Sequence, residues 1–240
     1  MHKSAQVSRV PGKVRTPVML QSWCDLTFLH WRLPLDVVAQ HVPAPLAVES
    51  FDGAAWVAVT PFLLRGLRPL MLPRIPLLSD FPETNCRTYV QGPDGQSGIW
   101  FFSLEAASAI AVGGARLTFG LPYMWARMEL SVDGNRVRYK SRRRWPDQKG
   151  TTDIEVDIGD PVASGDLERF LVERYRLFSR HRGKIVCADV EHPPWRLNRA
   201  HVIRAEQTLI TAAGLPHPGP VAIAHFSKGV QVKVGAPRRI

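Results

Sequence analysis

Residues 79–128 read SDFPETNCRTYVQGPDGQSGIWFFSLEAASAIAVGGARLTFGLPYMWARM, and the densest polar part is Glu83-Thr-Asn-Cys-Arg-Thr-Tyr89. Alternate side chains of a β-strand share one face. One face of this strand therefore carries an acid, an amide, a cation and a phenol: Glu83, Asn85, Arg87 and Tyr89. The other face is small and mostly apolar, which indicates burial. The polar face either meets solvent or lines a polar cavity, and both interpretations stay open at this point.

The segment that follows favours the cavity. A turn signal at Gly92-Pro-Asp-Gly95 precedes Ile99–Glu105, which is apolar on both faces as far as Ser103. A partner strand of this kind predicts a sheet that is covered on both sides. Symmetric pairing about Asp94 gives three opposed pairs: Glu83 with Glu105, Asn85 with Ser103, and Arg87 with Phe101. A slip of one residue places Trp100, Phe102 and Leu104 on that face instead, and the sequence leaves the register open.

Three patterns carry a resemblance to a known family: F-x-E-x-N-x-R-T-Y-V, F-F-S-L-E-A and A-R-L-x-F-G-L-P-Y-x-W-A-R-M. With His30-Trp31, Phe51–Val57, Arg169–Tyr175 and His192–Trp195, they make the chain similar to the uncharacterised bacterial YqjF-like family over roughly residues 20 to 235. That family resembles the acetoacetate-decarboxylase-like superfamily in fold. The resemblance implies a curved sheet around a pocket.

One difference from the decarboxylases concerns their chemistry. Those enzymes carry adjacent lysines after a proline, and one lysine forms a Schiff base that its neighbour activates. The corresponding residues here are Pro122-Tyr123-Met124, and no lysine lies between Lys13 and Lys140. The resemblance therefore implies a pocket without Schiff-base decarboxylation.

Length and composition predict an ordinary globular protein. The chain has 240 residues, of which 45% are hydrophobic and 22% are charged, with a net charge of +10. We predict a flexible basic tail over residues 1–18 and a single domain over residues 19–240. The three cysteines, Cys24, Cys86 and Cys187, are far apart and predict buried, reduced thiols. With neither a signal peptide nor an apolar run of membrane-spanning length, we expect a soluble cytoplasmic protein without membrane contact.

The remaining segments predict an α+β fold, with a curved and mostly antiparallel sheet closed or nearly closed into a barrel or cone around a pocket. Predicted helices cover Leu35–His41, Glu105–Val112 and Ser164–Arg182, the longest of them carrying an apolar stripe. Predicted strands cover Gln21–Trp31, Ala54–Phe62, Lys184–Val190, Val202–Thr211 and Ala222–Val234. The proline-rich, leucine-rich segment Arg65–Phe81 is expected to be irregular. It is either a lid over the pocket, a loop packed on the core, or a subunit contact.

The basic residues have a structural explanation. An Asp133-Gly134 turn predicts a hairpin over Leu130–Arg144, with Arg138, Lys140 and Arg142 on one face of its second strand. Acidic residues alternate along Asp153–Asp157, so neighbouring strands would place a basic ladder beside an acidic one. We prefer this interpretation to nucleic-acid binding.

Within the pocket, each polar side chain suggests a role. Arg87 suits a substrate carboxylate, because its guanidinium matches two oxygens. Glu83 is the acid/base candidate, or the partner that holds Arg87. The other ligand-binding candidates are Asn85, Tyr89, Tyr123, Arg116, Ser103 and Glu105. Should Glu83 and Glu105 face each other, one has a raised pKa unless Arg87 lies between them.

Several kinds of site are not indicated. The eight histidines show no metal-binding spacing, Ser103 and Ser108 have no nucleophile-elbow context, and no glycine-rich phosphate loop occurs. We therefore expect neither a cofactor nor a metal. The first hypothesis is a small-molecule pocket for a carboxylate or carbonyl compound; if catalytic, the protein is a lyase or hydrolase with Glu83 as base. The alternatives are a nucleic-acid-binding protein that uses the tail and Arg142–Arg144, and a non-catalytic homo-oligomeric scaffold.

Overall fold

The computed structural model describes residues 14–70 and 79–240, which form one large curved sheet with short helices packed on it. The strands are β1 (Pro17–Leu33), β2 (Ala47–Val48), β3 (Ser50–Phe51), β4 (Ala54–Pro69), β5 (Phe81–Gln91), β6 (Ser97–Ala106), β7 (Tyr123–Asp133), β8 (Arg136–Trp145), β9 (Thr151–Val162), β10 (Arg176–His181), β11 (Lys184–Glu191), β12 (Leu197–Gln207), β13 (Ile223–Gly235) and β14 (Arg238–Arg239). The helices are α1 (Leu35–Ala39), α2 (Ala109–Phe119), α3 (Asp166–Val172) and α4 (Leu209–Ala212). The predicted α+β class is confirmed. Most of the predicted basic tail lies outside the described residues, and β1 already begins at Pro17.

The strand order explains the curvature. The main path is β14-β11-β10-β6-β7-β8-β9-β12-β13-β1-β4-β5-β2, with β3 paired to β4. Two additional pairings, β5 with β6 and β11 with β13, bring distant parts of this path together. The sheet is therefore a nearly closed ring, as the sequence predicts. Most pairings are antiparallel; β6 pairs in parallel with β7 and β10.

The register of the β5–β6 hairpin combines the two alternatives that the sequence leaves open. From the turn to Arg87, which pairs with Phe101, the pairing is symmetric about Asp94. A bulge then shifts the register by one, so Asn85 pairs with Leu104 and Thr84 with Glu105. Because of this shift, Ser103 and Glu105 lie on the face opposite to Glu83 and Asn85.

The predicted ladders of opposite charge are present on β8 and β9. Arg138 pairs with Glu155 and Lys140 with Asp153, at 3.2 Å in each case. Arg142 is the exception, because its partner across the strands is Thr151.

The long helix predicted over residues 164–182 is wrong beyond its first turns. Its apolar stripe holds as far as Leu171, but α3 ends at Val172 and the chain continues as β10. Strand β10 pairs with both β6 and β11, and its fully buried Phe178 packs on Gly98, where a Cβ would lie 2.6 Å from the ring. Pairing on both edges therefore outweighs the helical periodicity.

Two further predictions near the prolines and glycines are corrected. Residues 65–69 are strand rather than irregular structure, since β4 continues along β1 until Pro69 pairs with Met19 at its end. The rest of that segment, residues 71–78, lies outside the described residues. The helix predicted over Glu105–Val112 begins at Ala109, with Ser108 as its N-cap. It continues through Gly113 and Gly114 and ends at Phe119.

The sheet encloses two buried regions. One side of β5 packs against a core that includes Val59, Cys86, Tyr139 and Ile154, and the other side faces aromatic residues such as Phe28 and Phe62. The three cysteines are free; Cys86 and Cys187 are buried and Cys24 is partly so. In the part of the chain that the structure describes, no helix is both long and apolar enough to cross a membrane.

Candidate active site

A cavity of about 310 Å³ opens on the concave side of β1, β4, β5 and β6. Helix α2 covers one flank through its small residues, and the segment 172–195 covers another. Gly120 ends α2 in the left-handed conformation, with φ of 64°, and a Cβ there would lie 2.5 Å from the backbone oxygen of Arg180. This tight turn leads Pro122-Tyr123 back into the cavity wall.

Arg87 lies deep in the cavity and is 6% exposed. Its guanidinium carbon is 5.4 Å from the centroid of the Phe28 ring, and its Nε has no hydrogen-bond partner. Within the described residues, Arg87 forms no ion pair with a carboxylate. Burial lowers the pKa of Arg87, with Tyr89 opposing that shift and Arg174 adding to it. A buried guanidinium for which the described residues supply no carboxylate is costly, so the cavity is suited to an anion.

Glu83 lies on the same strand and does not pair with Arg87. It is 3% exposed, and the hydroxyl of Tyr123 donates a 2.9 Å hydrogen bond to its Oε2. Burial raises the pKa of Glu83 to about 8; the Tyr123 bond opposes this rise and Glu105 adds to it. At neutral pH the Glu83 carboxyl is therefore mostly protonated, which makes it a proton donor rather than a base.

Three more polar side chains of the cavity have unpaired atoms. Thr60 and Asn85 are cross-strand neighbours on β4 and β5, and Thr60 Oγ1 and Asn85 Oδ1 are buried without a partner. The indole Nε1 of Trp195 is in the same state. Buried polar atoms in proteins are nearly always hydrogen-bonded, so this cluster is arranged for a ligand or solvent.

The other charged groups of the cavity are satisfied. Arg174 donates to Glu49 at 2.5 Å and to the backbone oxygen of Phe170 at 2.7 Å. Arg176 contacts Asp189 at 2.8 Å and Asp94 at 2.6 Å. The ring nitrogens of His192 lie 2.8 Å and 3.2 Å from the backbone oxygens of Pro193 and Arg174; burial lowers its pKa, and the neutral ring donates to one of them. These groups shape the cavity, and among its described arginines Arg87 is the one without a carboxylate partner.

Four of the predicted ligand-binding residues lie away from the cavity. Tyr89 is fully buried behind it, where its hydroxyl lies 2.8 Å from Nε2 of His30. Arg116, predicted on a strand, lies on α2, where it donates to the backbone oxygen of Tyr123 and covers the Trp145 ring at 4.8 Å. Ser103 and Glu105 face the opposite side of the sheet. The structure thus brings together Glu83, Asn85, Arg87 and Tyr123.

On that opposite side, Glu105 belongs to a closed ion-pair network. It is fully buried, and Arg143 donates to its Oε1 through Nε at 3.0 Å and Nη2 at 2.5 Å. Ser103 donates to its other oxygen at 3.1 Å, and Asp147 accepts from Arg143 at 3.2 Å. The charged groups on this side of the hairpin have their partners within the protein.

Sequence reasoning missed four residues of the cavity: Thr60, Arg174, His192 and Trp195. The last two belong to the His-Pro-Pro-Trp segment that contributes to the resemblance, and that segment was the available signal. Arg174 was hidden by the incorrect long helix, and nothing in the local sequence distinguishes Thr60.

The donor set suits neither a metal nor a Schiff base. No cluster of three or more His, Cys, Asp or Glu side chains in residues 14–70 and 79–240 is arranged to hold a metal ion. Among the described residues that line the cavity there is no lysine, and Tyr123 is part of its wall.

The fold is that of the acetoacetate-decarboxylase-like proteins. The chain is similar to acetoacetate decarboxylase from Legionella pneumophila, with a TM-score of 0.66, 10% identity, and coverage of 96% of this chain and 92% of that one. It is also similar to the enduracididine biosynthesis enzyme MppR complexed with pyruvate, with a TM-score of 0.65, 13% identity, and coverage of 93% and 91%. At these identities the similarity shows the fold alone.

The sequence identifies the family. The profile of the DUF2071 family, described as "Uncharacterized conserved protein", matches residues 20–231, and the chain belongs to that family. It is 36% identical over 213 residues to the protein "Uncharacterized protein YqjF" of Bacillus subtilis (strain 168), covering 88% of each chain. The resemblance stated from the sequence motifs is confirmed.

Proposed function

We propose that this protein binds a small organic carboxylate or carbonyl compound in the cavity, with Arg87 as the anchor. The observation that carries the proposal is a buried guanidinium in the cavity for which the described residues supply no carboxylate. A ligand carboxylate would provide the missing charge and two oxygens. The volume of about 310 Å³ is at the small end for ligand pockets.

Glu83 and Tyr123 supply the chemical function of the proposed site. The Tyr123 hydroxyl donates to Oε2 of Glu83, which leaves Oε1 as the oxygen from which the neutral acid would donate to a ligand. A proton donor beside a bound carbonyl compound suits a lyase or hydrolase reaction in which negative charge develops on the substrate. The described lining contains no lysine, which supports a proposed reaction without a Schiff base. MppR, which shares the fold, is described in complex with pyruvate, itself a small oxo acid.

Nucleic-acid binding is the weaker proposal. Arg136, Arg138 and Lys140 form ion pairs with the acids of β9, which reduces the free positive charge of that surface. Arg142 and Arg144 are exposed and remain the basic residues that such binding would use.

A thermal-shift screen tests the proposal. The panel contains small carboxylic acids, β-keto acids and aldehydes, with a DNA duplex as control, against the wild type, Arg87→Met and Arg196→Met. Arg196 is exposed and outside the cavity, so its substitution removes the same charge without touching the site. A ligand at 100 times its dissociation constant stabilises the fold by about 2.7 kcal/mol.

We expect carboxylates to stabilise the wild type and Arg196→Met and to have no effect on Arg87→Met. Turnover of any ligand that is also a substrate should fall at least a hundredfold in Glu83→Gln, with binding retained. Stabilisation by the DNA duplex alone, lost steeply as salt rises, would contradict the pocket and favour the basic surface.

A further inference from the structure

The cavity changes character along β4 and β5. At its inner end, Thr60 and Asn85 are paired across the strands, and Arg87 is the next residue of the same face. One step outward Glu83 pairs with Phe62, and a further step outward Phe81 pairs with Leu64. Residues on one face of a strand are about 6.7 Å apart for each step. The wall therefore turns from polar to apolar within two steps.

The apolar end is the one near solvent. Beyond Leu64 the wall continues with Leu67 and then with Pro69, which is paired to Met19. Pro69 is exposed, while Leu67 and Met19 are half-buried, and the facing residues of α2 that are exposed are Gly114 and Thr118. By contrast, Thr60, Asn85 and Arg87 are 0%, 5% and 6% exposed. The cavity thus has a deep polar end and an apolar mouth between β4 and α2.

The charged side chains of the cavity favour a ligand with a single anionic group. Two of its three arginines, Arg174 and Arg176, are paired with carboxylates of the protein. The third, Arg87, has no carboxylate partner among the described residues. The described residues that line the mouth carry no charge. A ligand with a second carboxylate would have to bury it against leucine, methionine and proline, at a large desolvation cost.

We propose that the ligand is an amphiphilic monocarboxylate, with its carboxylate at Arg87, Asn85 and Thr60 and an apolar tail directed to the mouth. This inference rests on the proposed function, because it takes Arg87 as the anchor. The tail packs between Phe62, Leu64 and Phe81 on one side and α2 on the other. Glu83 and Tyr123 then lie beside the carbons that follow the carboxylate, where a proton donor can act on them.

Isothermal titration calorimetry with a homologous series tests the tail. The probes are straight-chain acids from acetate to decanoate at pH 7, each with the dicarboxylate of equal length. Each methylene that enters the apolar wall should tighten the dissociation constant about fourfold, until the tail reaches the mouth. Each dicarboxylate should bind at least tenfold more weakly than its monocarboxylate.

A pair of alanine substitutions on α2 locates the tail. Ala115 lines the cavity near the mouth, whereas Ala109 is exposed on the same helix and outside it. Ala115→Phe should abolish the gain for the longer acids and leave acetate and propionate within twofold of the wild type. Ala109→Phe should leave the whole series unchanged.

The outcomes separate this inference from the proposed function. Affinity that is independent of chain length but lost in Arg87→Met would overturn the amphiphilic ligand and leave the carboxylate site intact. Dicarboxylates that bind as tightly as monocarboxylates would overturn it as well. A folded wild type that binds none of the acids would overturn both proposals.

Discussion

The two faces of the β5–β6 hairpin each bury an arginine and a glutamate, and they treat them differently. On one face two nitrogens of Arg143 donate to Oε1 of Glu105, and Ser103 and Asp147 complete this ion pair. On the other face Arg87 and Glu83 lie on one strand without contacting each other, and the Arg87 Nε has no partner. In the first arrangement the protein supplies the partners of the charged groups, whereas the second leaves a positive charge and a neutral acid facing a cavity.

The comparison teaches that burial alone does not distinguish a structural ion pair from a binding site. All four side chains are at most 6% exposed. What differs is whether the protein itself supplies the hydrogen-bond partners. A buried ion pair with all its hydrogen-bond partners stabilises the fold only while both residues are present. A buried charge without a counter-charge marks a place where a ligand can replace water.

Breaking the Arg143–Glu105 ion pair should have the largest effect on the free energy of unfolding. Arg143→Met leaves the Glu105 carboxylate buried without its cation, and we expect the free energy of unfolding to fall by about 3–5 kcal/mol at pH 7. Urea unfolding gives this value. The loss should shrink in the double variant Arg143→Met/Glu105→Gln, which removes the stranded charge. A loss below about 1 kcal/mol in the single variant would show that the pair is not the structural one.

Ionisation of Glu83, on the face that carries Arg87, should change the free energy of unfolding by a comparably large amount that depends on pH. The pKa of Glu83 is raised by burial to about 8 from an ordinary value of 4.5, so the native state keeps a proton that the unfolded state has lost between these values. Stability from this group is therefore lost as pH rises, by about 1.4 kcal/mol per pH unit, and levels off above pH 8.

Glu83→Gln isolates that contribution. The unfolding free energy of the wild type relative to this variant should fall by about 4 kcal/mol between pH 5 and pH 8. Urea titrations at several pH values measure the difference, in which the buried histidines cancel. A difference that is constant with pH would mean that Glu83 is ionised throughout.

Adding a side-chain atom beside the Arg143–Glu105 ion pair should have an intermediate effect on stability. A Cβ on Gly150 would lie 2.8 Å from Nε of Arg143, so Gly150→Ala displaces the guanidinium from Glu105. Overpacking of this kind costs about 1–3 kcal/mol. The matched control is Gly113→Ala on α2, where a Cβ meets nothing within 4 Å and should stabilise the helix by about 0.5–1 kcal/mol. Equal effects of the two substitutions in thermal unfolding would contradict this account.

Removing the free cation should have the smallest effect on stability. Arg87→Met keeps an apolar stem near Phe28 and removes a charge for which the described residues supply no carboxylate, so the unfolding free energy should change by less than about 1 kcal/mol or increase. Chemical denaturation without ligand measures this, beside Arg143→Met as the contrasting variant. Destabilisation equal to that of Arg143→Met would show that Arg87 has a structural role.

Much of the fold was predictable because it depends on local patterns. Gly92–Gly95 and Asp133-Gly134 mark the hairpins directly, and alternation along Asp153–Asp157 predicts the facing charge ladder. The errors have a common cause. Residues 173–182 follow a helical periodicity, yet β10 forms because β6 and β11 both pair with it, and local periodicity contains no information about such neighbours.

The candidate site divides in the same way. Glu83, Asn85 and Arg87 were found because a strand places alternate residues on one face, which is a property of the chain alone. Thr60, Arg174 and Trp195 reach the same cavity from other strands and loops, and only the closure of the sheet brings them there.

By itself, the sequence determined the class of fold, the family and the strand that carries the candidate site. The tertiary structure alone decided which face each residue of β6 occupies. A single bulge between the Arg87–Phe101 and Cys86–Ser103 pairs shifts the register by one residue. In a strand, a shift of one residue moves every later side chain, here those of β6 from Ser103 onward, to the opposite face. That shift places Glu105 with Arg143 and keeps it away from Glu83, and so it separates a structural ion pair from a binding site.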